Sequence, residues 1–518
     1  MTMHSLRGLA SGSLQILFFA LFAVAVAGCG GDSSNDSGNP PPVSGNDEDP
    51  QLSPDGELAA KQPLVITFDR SMDPDSLQLA GSLAENAQAE WSSSDTDNDT
   101  LTLTPSGYWS AGSQTLTVTV NDSDGDAIDP LEAELNVASA FTSFQEAVIV
   151  LGQPDFSSGD SRQGGLGADA DTLDLPMGPV AYAPDEDVFF ISDNGDSRVL
   201  AFNGIPDTNN VPADFVLGQP DFNSSSGATT AATYRNPQWV TTNDGKLIVT
   251  DSESRRMLVY NEIPQSGPVD ADIVIGQPDM TSLDIRCDQR TTYTTHGHFV
   301  TPAGRLFVSD ADNNRVLMWN AVPTENYAPA DLVLGQPGFE SCNAWDEPGG
   351  SDDMRAFNHP VAIWSDDERL VITDNENHRV LIWNEFPQAN FAEPDVILGQ
   401  ETFDNTAPND VDQDGVEDSA VSASTMNLPW DVSFHGGQLF VSDYENNRVL
   451  IWNGWPQENF QPADIVIGQE DFDANAVNAG NTEPAANTLN GPRGATIIGD
   501  RMFITDTRNS RVLIFESQ

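Results

Sequence analysis

Short hydrophobic stretches bounded by polar turns recur along most of the chain and predict β-strands. In the clearest example they occupy residues 431–434, 439–442, 448–452 and 464–467, separated by turns that contain Gly, Asn or Pro. Stretches of this length and composition are typical of strands rather than helices. No convincing helical period is present beyond the extreme N-terminus. The pattern therefore predicts an all-β protein in which four short strands form one unit.

Two phrases show that this unit is repeated. Gly-Gln closes a hydrophobic run at 152–153, 218–219, 276–277, 335–336, 399–400 and 468–469. An Asp followed five residues later by an Arg recurs six times, at intervals of 58 to 69 residues. The pairs are Asp193 and Arg198, Asp251 and Arg256, Asp310 and Arg315, Asp374 and Arg379, Asp443 and Arg448, and Asp506 and Arg511. A residue type present in every unit is interpreted as part of the framework.

The phrase Leu-Phe-Val-Ser-Asp-x-x-Asn-Asn-Arg-Val-Leu, at 306–317 and 439–450, resembles the NHL repeat. The resemblance covers about 370 residues and implies a six-bladed β-propeller over residues 145–518. The sixth unit lacks its fourth strand, whereas an extra copy of that strand stands at 147–151. We therefore expect residues 147–151 to complete the last blade and close the ring.

A smaller β-rich segment precedes the repeats. Residues 64–68, 101–103 and 115–120 are predicted strands, separated by polar turns as in a β-sandwich. The phrase Phe-Asp-Arg-Ser-Met-Asp-Pro at 68–74, followed by Trp91, resembles the bacterial Ig-like domain first described in S-layer proteins. The resemblance implies a spacer or adhesion domain over residues 55–139.

The N-terminus predicts export. Residues 16–27 form an apolar run too short to span a bilayer but suited to a signal peptide over residues 1–28. Val26-Ala27-Gly28-Cys29 resembles the bacterial lipobox, which implies lipidation of Cys29 and a membrane anchor. Gly30, rather than Asp, implies an outer-membrane lipoprotein facing the periplasm or the surface. Residues 29–54 are then a disordered tether.

Charge excludes one class of partner. The chain has 80 acidic and 21 basic residues, for a net charge of −59. Such a surface repels phosphate backbones, so the protein is not expected to bind nucleic acid. The charge is explained either by a solvated acidic surface or by calcium binding.

One acidic loop has the spacing of a calcium ligand set. Asp410, Asp412, Asp414, Val416 and Asp418 occupy alternate positions, and Gly415 allows a sharp turn. Position 12 is Val421 rather than the bidentate Glu of an EF-hand. We expect either a structural calcium site or a plain acidic loop.

Two further groups of residues lie on the connections between units. With Cys29 lipidated, Cys287 and Cys342 are the remaining cysteines, on the connections that enter units 3 and 4. They are expected to form a disulfide, with two free thiols as the alternative. His296, His298 and His359 fall near the predicted channel mouth and could bind zinc or another transition metal.

The upper face, formed by the second-to-third turns and the connections between units, is the predicted binding surface because variable loops on a rigid scaffold carry function. Its candidate residues are Tyr234, Trp239, Tyr293, Trp345, Trp430 and Arg493. The aromatic rings among them could contact a glycan or a peptide, or could simply pack the channel.

Two functions from different classes fit these features. The first is a lipid-anchored cell-envelope binding or scaffold protein that presents its upper face to a protein or a glycan. The alternative is a channel-centred, metal-dependent enzyme, either a lyase or a hydrolase of the lactonase kind. Propellers perform both roles, so fold alone does not decide between them. Since no general base is evident beside the histidines, the sequence favours the binding protein.

Overall fold

A computed structural model describes residues 50–54, 57–94, 96–138, 140–343 and 355–518. The predicted signal peptide, Cys29 and most of the tether lie outside these residues, as does Trp345. The described chain is all-β, with eight four-stranded sheets. No helix among the described residues has both the length and the hydropathy needed to cross a bilayer.

Two of the sheets form the N-terminal part and share one hydrophobic core, which includes Leu64, Leu103, Trp109 and Val118. The first contains strands Gln51–Ser53, Leu64–Thr67, Thr100–Pro105 and Ala87–Ser92, in that spatial order. The second contains strands Glu57–Leu58, Leu131–Val137, Gly112–Asp122 and Met72–Ala80.

The strand Gln51–Ser53 corrects one predicted boundary. Residues 29–54 were expected to be a disordered tether, but Gln51 pairs with Thr67 and Ser53 with Val65. Pairing with the sheet supplies hydrogen-bond partners for the backbone groups of this segment. Its short polar sequence does not by itself indicate that it is ordered.

The other six sheets, here called repeat sheets 1 to 6, follow one another along the chain. Repeat sheet 1 contains Ala181–Ala183, Val188–Asp193, Arg198–Asn203 and Phe215–Leu217, and repeat sheet 2 contains Pro237–Asn243, Lys246–Asp251, Arg256–Tyr260 and Ile273–Ile275. Repeat sheet 3 contains Thr295–Val300, Leu306–Asp310, Arg315–Trp319 and Leu332–Leu334, and repeat sheet 4 contains Pro360–Ser365, Leu370–Asp374, Arg379–Trp383 and Val396–Leu398. Repeat sheet 5 contains Pro429–His435, Gln438–Asp443, Arg448–Asn453 and Ile465–Ile467.

Repeat sheet 6 is completed from the other end of the chain. Its strands are Pro492–Ile498, Arg501–Asp506, Arg511–Glu516 and Ile149–Leu151. Val512 pairs with Leu151, and Ile514 pairs with Ile149. The pairing expected for residues 147–151 is therefore present, and it covers the edge of the final long strand.

The repeat sheets are arranged around an axis, like the blades of a propeller. The first strand of each sheet contacts the first strand of the next. Repeat sheets 6 and 1 also meet, because the Thr505 hydroxyl donates a hydrogen bond to the Gly178 carbonyl at 2.8 Å. Neighbouring sheets share hydrophobic cores, as where Ile248 and Met257 of repeat sheet 2 pack with Leu306 and Trp319 of repeat sheet 3. Burial between sheets is what stabilises such an arrangement.

Among the residues that the structure describes, helical structure is limited to short 3-10 segments. Five of them join the second and third strands of repeat sheets 2 to 6 and end at a residue in the left-handed conformation. They are Ser252–Ser254, Ala311–Asn313, Asn375–Asn377, Tyr444–Asn446 and Thr507–Asn509. The others are Ala84–Asn86, Ser161–Gly164 and Val477–Gly480.

The N-terminal sheets pack against the lower end of the propeller-like part. Lys61 forms an ion pair of 2.7 Å with Asp500, in the turn after the first strand of repeat sheet 6. The ring of Tyr108 lies edge-on to His435, with centroids 5.8 Å apart. Burial raises the pKa of the Tyr108 phenol. The turns after the first strands of repeat sheets 5 and 6 are therefore partly covered by the N-terminal sheets.

Candidate functional site

The repeated arginines clamp the connections of the upper end. Arg448 is fully buried and donates from Nε to Asp443 at 2.8 Å. It also donates to the carbonyl of Phe472 in the following connection and to those of Ser422 and Thr425 in the preceding one. The same arrangement recurs for Arg198, Arg256, Arg315, Arg379 and Arg511. Each guanidinium thus fixes two neighbouring connections to one sheet.

The aspartate partners are also buried and hydrogen-bonded to backbone. Burial raises the pKa of Asp443, and the charge of Arg448 and the N–H of Asn427 oppose that rise. Breaking one partner would leave the other charge buried and unpaired, which is costly. The framework role of the pairs remains the interpretation that their repetition favours.

A disulfide joins two of these connections. Cys287 and Cys342 are bonded, with Cα atoms 6.1 Å apart. The first lies on the connection into repeat sheet 3 and the second on the connection into repeat sheet 4. The cross-link therefore constrains adjacent loops on the upper face.

The acidic loop places three of its aspartates close together. One carboxylate oxygen from each of Asp410, Asp412 and Asp418 lies within 4.8 Å of the others. Asp410 is buried and accepts hydrogen bonds from Asn405 and the N–H of Gly415. The nearby negative charge of Asp414 raises the pKa of Asp412. Asp414 itself accepts a hydrogen bond from the N–H of Val416, whose side chain is exposed.

The three candidate histidines do not form one cluster. His296 and His359 meet at the axis with Nε2 atoms 2.8 Å apart. His298 is separate from this pair. Its Nε2 atom is hydrogen-bonded to the Thr241 hydroxyl at 2.7 Å, and its Nδ1 atom to the Thr250 hydroxyl at 2.8 Å. With both ring nitrogens occupied, His298 is a satisfied core residue. The prediction of three histidines around one metal is wrong in this respect.

Burial favours the neutral form of His296 and of His298. Burial, then the charges of His359 and Arg493, lower the pKa of His296 well below its usual value. Burial alone lowers the pKa of His298 to about 3. His359 lies beside Asp312, with Nδ1 3.4 Å from the carboxylate. In the described part of the chain, no third metal-ligating side chain joins His296 and His359 within metal-binding distance.

Arg493 belongs to the same group of side chains, here called the axial cluster, which contains His296, His359, Trp430, Tyr444 and Arg493. Its guanidinium lies 4.0 Å from the ring centroid of Trp430 and 4.3 Å from that of Tyr444. It donates to the Tyr444 hydroxyl at 2.7 Å and contacts the sulfur of Met177 at 3.4 Å. Stacking on two rings stabilises a cation that is largely withdrawn from water.

Most of the aromatic candidates are packed rather than exposed. Tyr234 is fully buried, and its hydroxyl forms a hydrogen bond of 2.6 Å with the hydroxyl of Tyr260. Trp239 is 3% exposed and Trp430 is 8% exposed. These three are therefore not available to a ligand on the upper face, because Tyr234 packs between repeat sheets 1 and 2, and Trp239 and Trp430 are buried in first strands. Tyr293 is half-buried, with Arg255 5.4 Å from its ring centroid.

Below the axial cluster lies a cavity of about 530 Å³. Its wall includes residues from the first strand of every repeat sheet, or next to it, and is mainly apolar. Four aromatic residues, four hydroxyl residues and one carboxylate contribute to it: Tyr182, Trp239, Phe299, Trp364, Thr241, Thr242, Ser433, Thr496 and Asp431. A mostly apolar cavity of this size with a few polar groups is the usual form of a small-molecule site.

Asp431 is the carboxylate of this wall. It is 3% exposed and accepts a hydrogen bond from the N–H of Ala495 at 2.8 Å. Burial raises its pKa to about 7, against the lowering effect of the Ala495 and Val432 N–H groups. No ion pair to Asp431 is present among the described residues.

Sequence reasoning missed Asp431, although a signal exists. When repeat sheets 2 to 6 are aligned on the first residue of the first strand, the residues equivalent to Asp431 are Trp239, Gly297, Ala362 and Gly494. A single carboxylate among small or aromatic residues marks one repeat as different. That it faces a cavity is evident only when the six first strands are placed around the axis.

Comparison with known proteins gives no family. No protein-family profile matches the chain, and no curated protein matches it. Several solved structures are similar to the chain at low sequence identity. A structural genomics protein from Bacteroides thetaiotaomicron is 10% identical, with a TM-score of 0.47, over 91% of this chain and 99% of that one.

Two enzymes are among the other similar structures. The PQQ-bound aldose sugar dehydrogenase of Streptomyces coelicolor is 13% identical over 68% of this chain and 97% of its own, with a TM-score of 0.37. A gluconolactonase of Xanthomonas campestris is 13% identical over 68% and 89%, with a TM-score of 0.33. Similarities at this level assign neither a ligand nor an activity.

Proposed function

We propose that the protein is a lipid-anchored binding protein of the bacterial cell envelope. The six repeat sheets are the blades of a six-bladed NHL-type propeller, and the two N-terminal sheets are an Ig-like spacer. Cys29 carries the lipid that holds the chain at the outer membrane. The upper face binds a protein or a glycan on the periplasmic or outer side. A disulfide between upper connections supports an oxidising compartment.

The observation that carries this proposal is the set of six buried arginine clamps. Each one, as at Arg448, donates to carbonyl groups of two successive upper connections. Loops held in this way lose little conformational entropy on binding, which favours affinity. The clamps use only framework residues, so the loop side chains are free to determine specificity.

The proposal is tested with full-length protein by glycan-array binding and by cross-linking in envelopes of the source bacterium. Tyr293→Ala changes a half-buried ring on the upper face. Trp455→Ala is the matched control, because Trp455 is also half-buried and stacked on an arginine, Arg369, at 4.1 Å, but lies after a third strand. We expect Tyr293→Ala alone to weaken capture about tenfold. Equal effects of the two variants would contradict an upper binding face.

The anchor has its own test. Cys29→Ser removes the residue that accepts the lipid, and the rest of the chain stays unchanged. We expect the protein to move from the membrane fraction to the soluble envelope fraction, with loss of palmitate labelling, because one stable attachment is removed. A variant that stays in the membrane fraction would show that Cys29 is not the anchor.

We also propose that the loop at 410–418 binds calcium in a structural role. The three carboxylates of Asp410, Asp412 and Asp418 offer oxygen ligands within one ion's reach. Like-charge crowding there raises the pKa of Asp412 and would be relieved by a divalent cation.

The alternative function is a channel-centred, metal-dependent lyase or hydrolase. The observation in its favour is the pair His296 and His359, whose Nε2 atoms already lie 2.8 Å apart at the axis. Metal analysis of gently purified protein tests it, with His359→Ala as the variant and His298→Ala as the control. Stoichiometric zinc or iron that is lost only in His359→Ala would favour the enzyme.

A further inference from the structure

We propose that the channel cavity is a second binding site, specific for a small organic cation with an apolar body, whose ammonium group contacts Asp431. This site lies below the axial cluster and is distinct from the upper face of the proposed function. Asp431 lines the cavity, and its described partners are backbone N–H groups. A buried carboxylate without a cation is unfavourable, so a positively charged ligand gains more here than a neutral one.

The hydroxyl groups of the wall suit the same ligand. Thr242 donates its proton to the Tyr182 carbonyl at 2.7 Å, and Ser433 donates to the Ala495 carbonyl at 2.9 Å. Since their protons are committed, these oxygens can only accept further hydrogen bonds. A ligand that donates several N–H bonds is therefore matched to the wall, whereas an anion is not.

One hydroxyl of the wall has no hydrogen-bond partner among the residues that the structure describes. The Thr496 Oγ1 atom is buried and makes no hydrogen bond among the described residues. An unsatisfied buried polar atom is costly unless something else supplies a bond. A ligand in the cavity would supply it.

The other residues of the cavity wall account for the apolar body of the proposed ligand and for its positive charge. Tyr182, Trp239, Phe299 and Trp364 contribute aromatic rings, and no Lys, Arg or His lines the cavity among the described residues. Aromatic walls attract organic cations as well as apolar groups. The net charge of −59 raises the local concentration of cations near the protein.

The test uses full-length protein and three probes that share a phenyl group. They are 2-phenylethylamine (cation), 2-phenylethanol (neutral) and 3-phenylpropionate (anion). Binding is followed by calorimetry and tryptophan fluorescence at about pH 8, where Asp431 is ionised. We expect the amine to bind about tenfold more tightly than the alcohol, and the anion to bind least.

Two variants make the outcome specific. Asp431→Asn should weaken binding of the amine about tenfold and leave binding of the alcohol unchanged. Thr496→Val should weaken binding of the amine about threefold. Thr496→Val also serves if Asp431→Asn does not fold. Equal binding of amine and alcohol, no binding of the amine, or unchanged amine binding in both folded variants would overturn the proposal. Upper-face capture should persist in Asp431→Asn, so failure of one site is distinguishable from failure of the other.

Discussion

The imidazole rings of His296 and His359 share a hydrogen bond between adjacent repeat sheets 3 and 4, with Nε2 atoms 2.8 Å apart. One ring must donate and the other must accept, so both cannot be protonated on these atoms. His296 also bonds Gln238 through Nδ1, and its ring centroid lies 5.2 Å from that of Trp430. These contacts form a polar and aromatic cluster in which at least one of the two histidine rings must be neutral.

Acidification should destabilise the protein through its buried histidines. The folded-state pKa of His298 is lowered to about 3, whereas an unfolded histidine titrates near 6.5. Below pH 6.5 the unfolded chain takes up the proton and the folded chain does not, so stability is present above that pH and is lost as pH falls. At pH 5 the loss from His298 is about 2 kcal/mol.

Chemical denaturation at several pH values measures this effect, with His298→Gln as the comparison. Gln can still bond a threonine hydroxyl but does not titrate in this range. The wild-type protein should lose more stability between pH 7.5 and pH 5 than the variant does. Identical slopes would show that His298 does not remain neutral in the folded state.

Removing one clamp should be strongly destabilising. Arg448→Ala leaves Asp443 buried without its cation and frees carbonyl groups in two connections. We expect a loss of about 3–5 kcal/mol in the free energy of unfolding. Arg286→Ala is the control, because Arg286 pairs with Asp284 on the surface and its side chain is 58% exposed. Its effect should be about 0–1 kcal/mol, and similar losses for both variants would contradict the clamp.

Reducing the disulfide should lower thermal stability. The bond closes a loop with a sequence separation of 55 residues, for which chain entropy predicts about 4 kcal/mol. Melting is compared with and without dithiothreitol. The double variant Cys287→Ser and Cys342→Ser should melt at the temperature of the reduced wild type and should not respond to the reductant. If dithiothreitol still lowered the melting temperature of the double variant, the effect of the reductant would not come from this disulfide.

Calcium should stabilise the folded chain if the acidic loop binds it. At a concentration about 100 times the dissociation constant, the gain is about 2.7 kcal/mol. Asp412→Asn should abolish the gain because it removes one of the three clustered carboxylates. Asp473→Asn, at an exposed position in the next connection, should keep it. A calcium effect that survives Asp412→Asn would exclude this loop.

Much of the architecture can be predicted from patterns that are local in the sequence. The strands around Leu439 and Arg448 follow from short hydrophobic runs, and the observed strands extend the predicted ones by only one or two residues. The pairing of Leu151 with Val512 follows from an extra copy of a repeated phrase. These features depend on residues close in sequence or on counting repeats, which a linear sequence displays directly.

The site depended on contacts between repeats. A shift in strand register between Thr295 and His298 sends two nearby histidines to different partners, so that spacing alone could not group them. Tyr234 and Trp239 belong to upper connections in sequence but are buried once neighbouring sheets pack.

The sequence by itself determined the all-β class, the repeat and the residues that recur in it, because periodicity in hydrophobicity and in Asp and Arg is a local property. Only the tertiary structure decided that Asp431 faces a cavity, since that cavity exists between first strands contributed by all six repeat sheets. A carboxylate acquires its raised pKa of about 7 from the groups that surround it in space. Those groups are far apart along the chain.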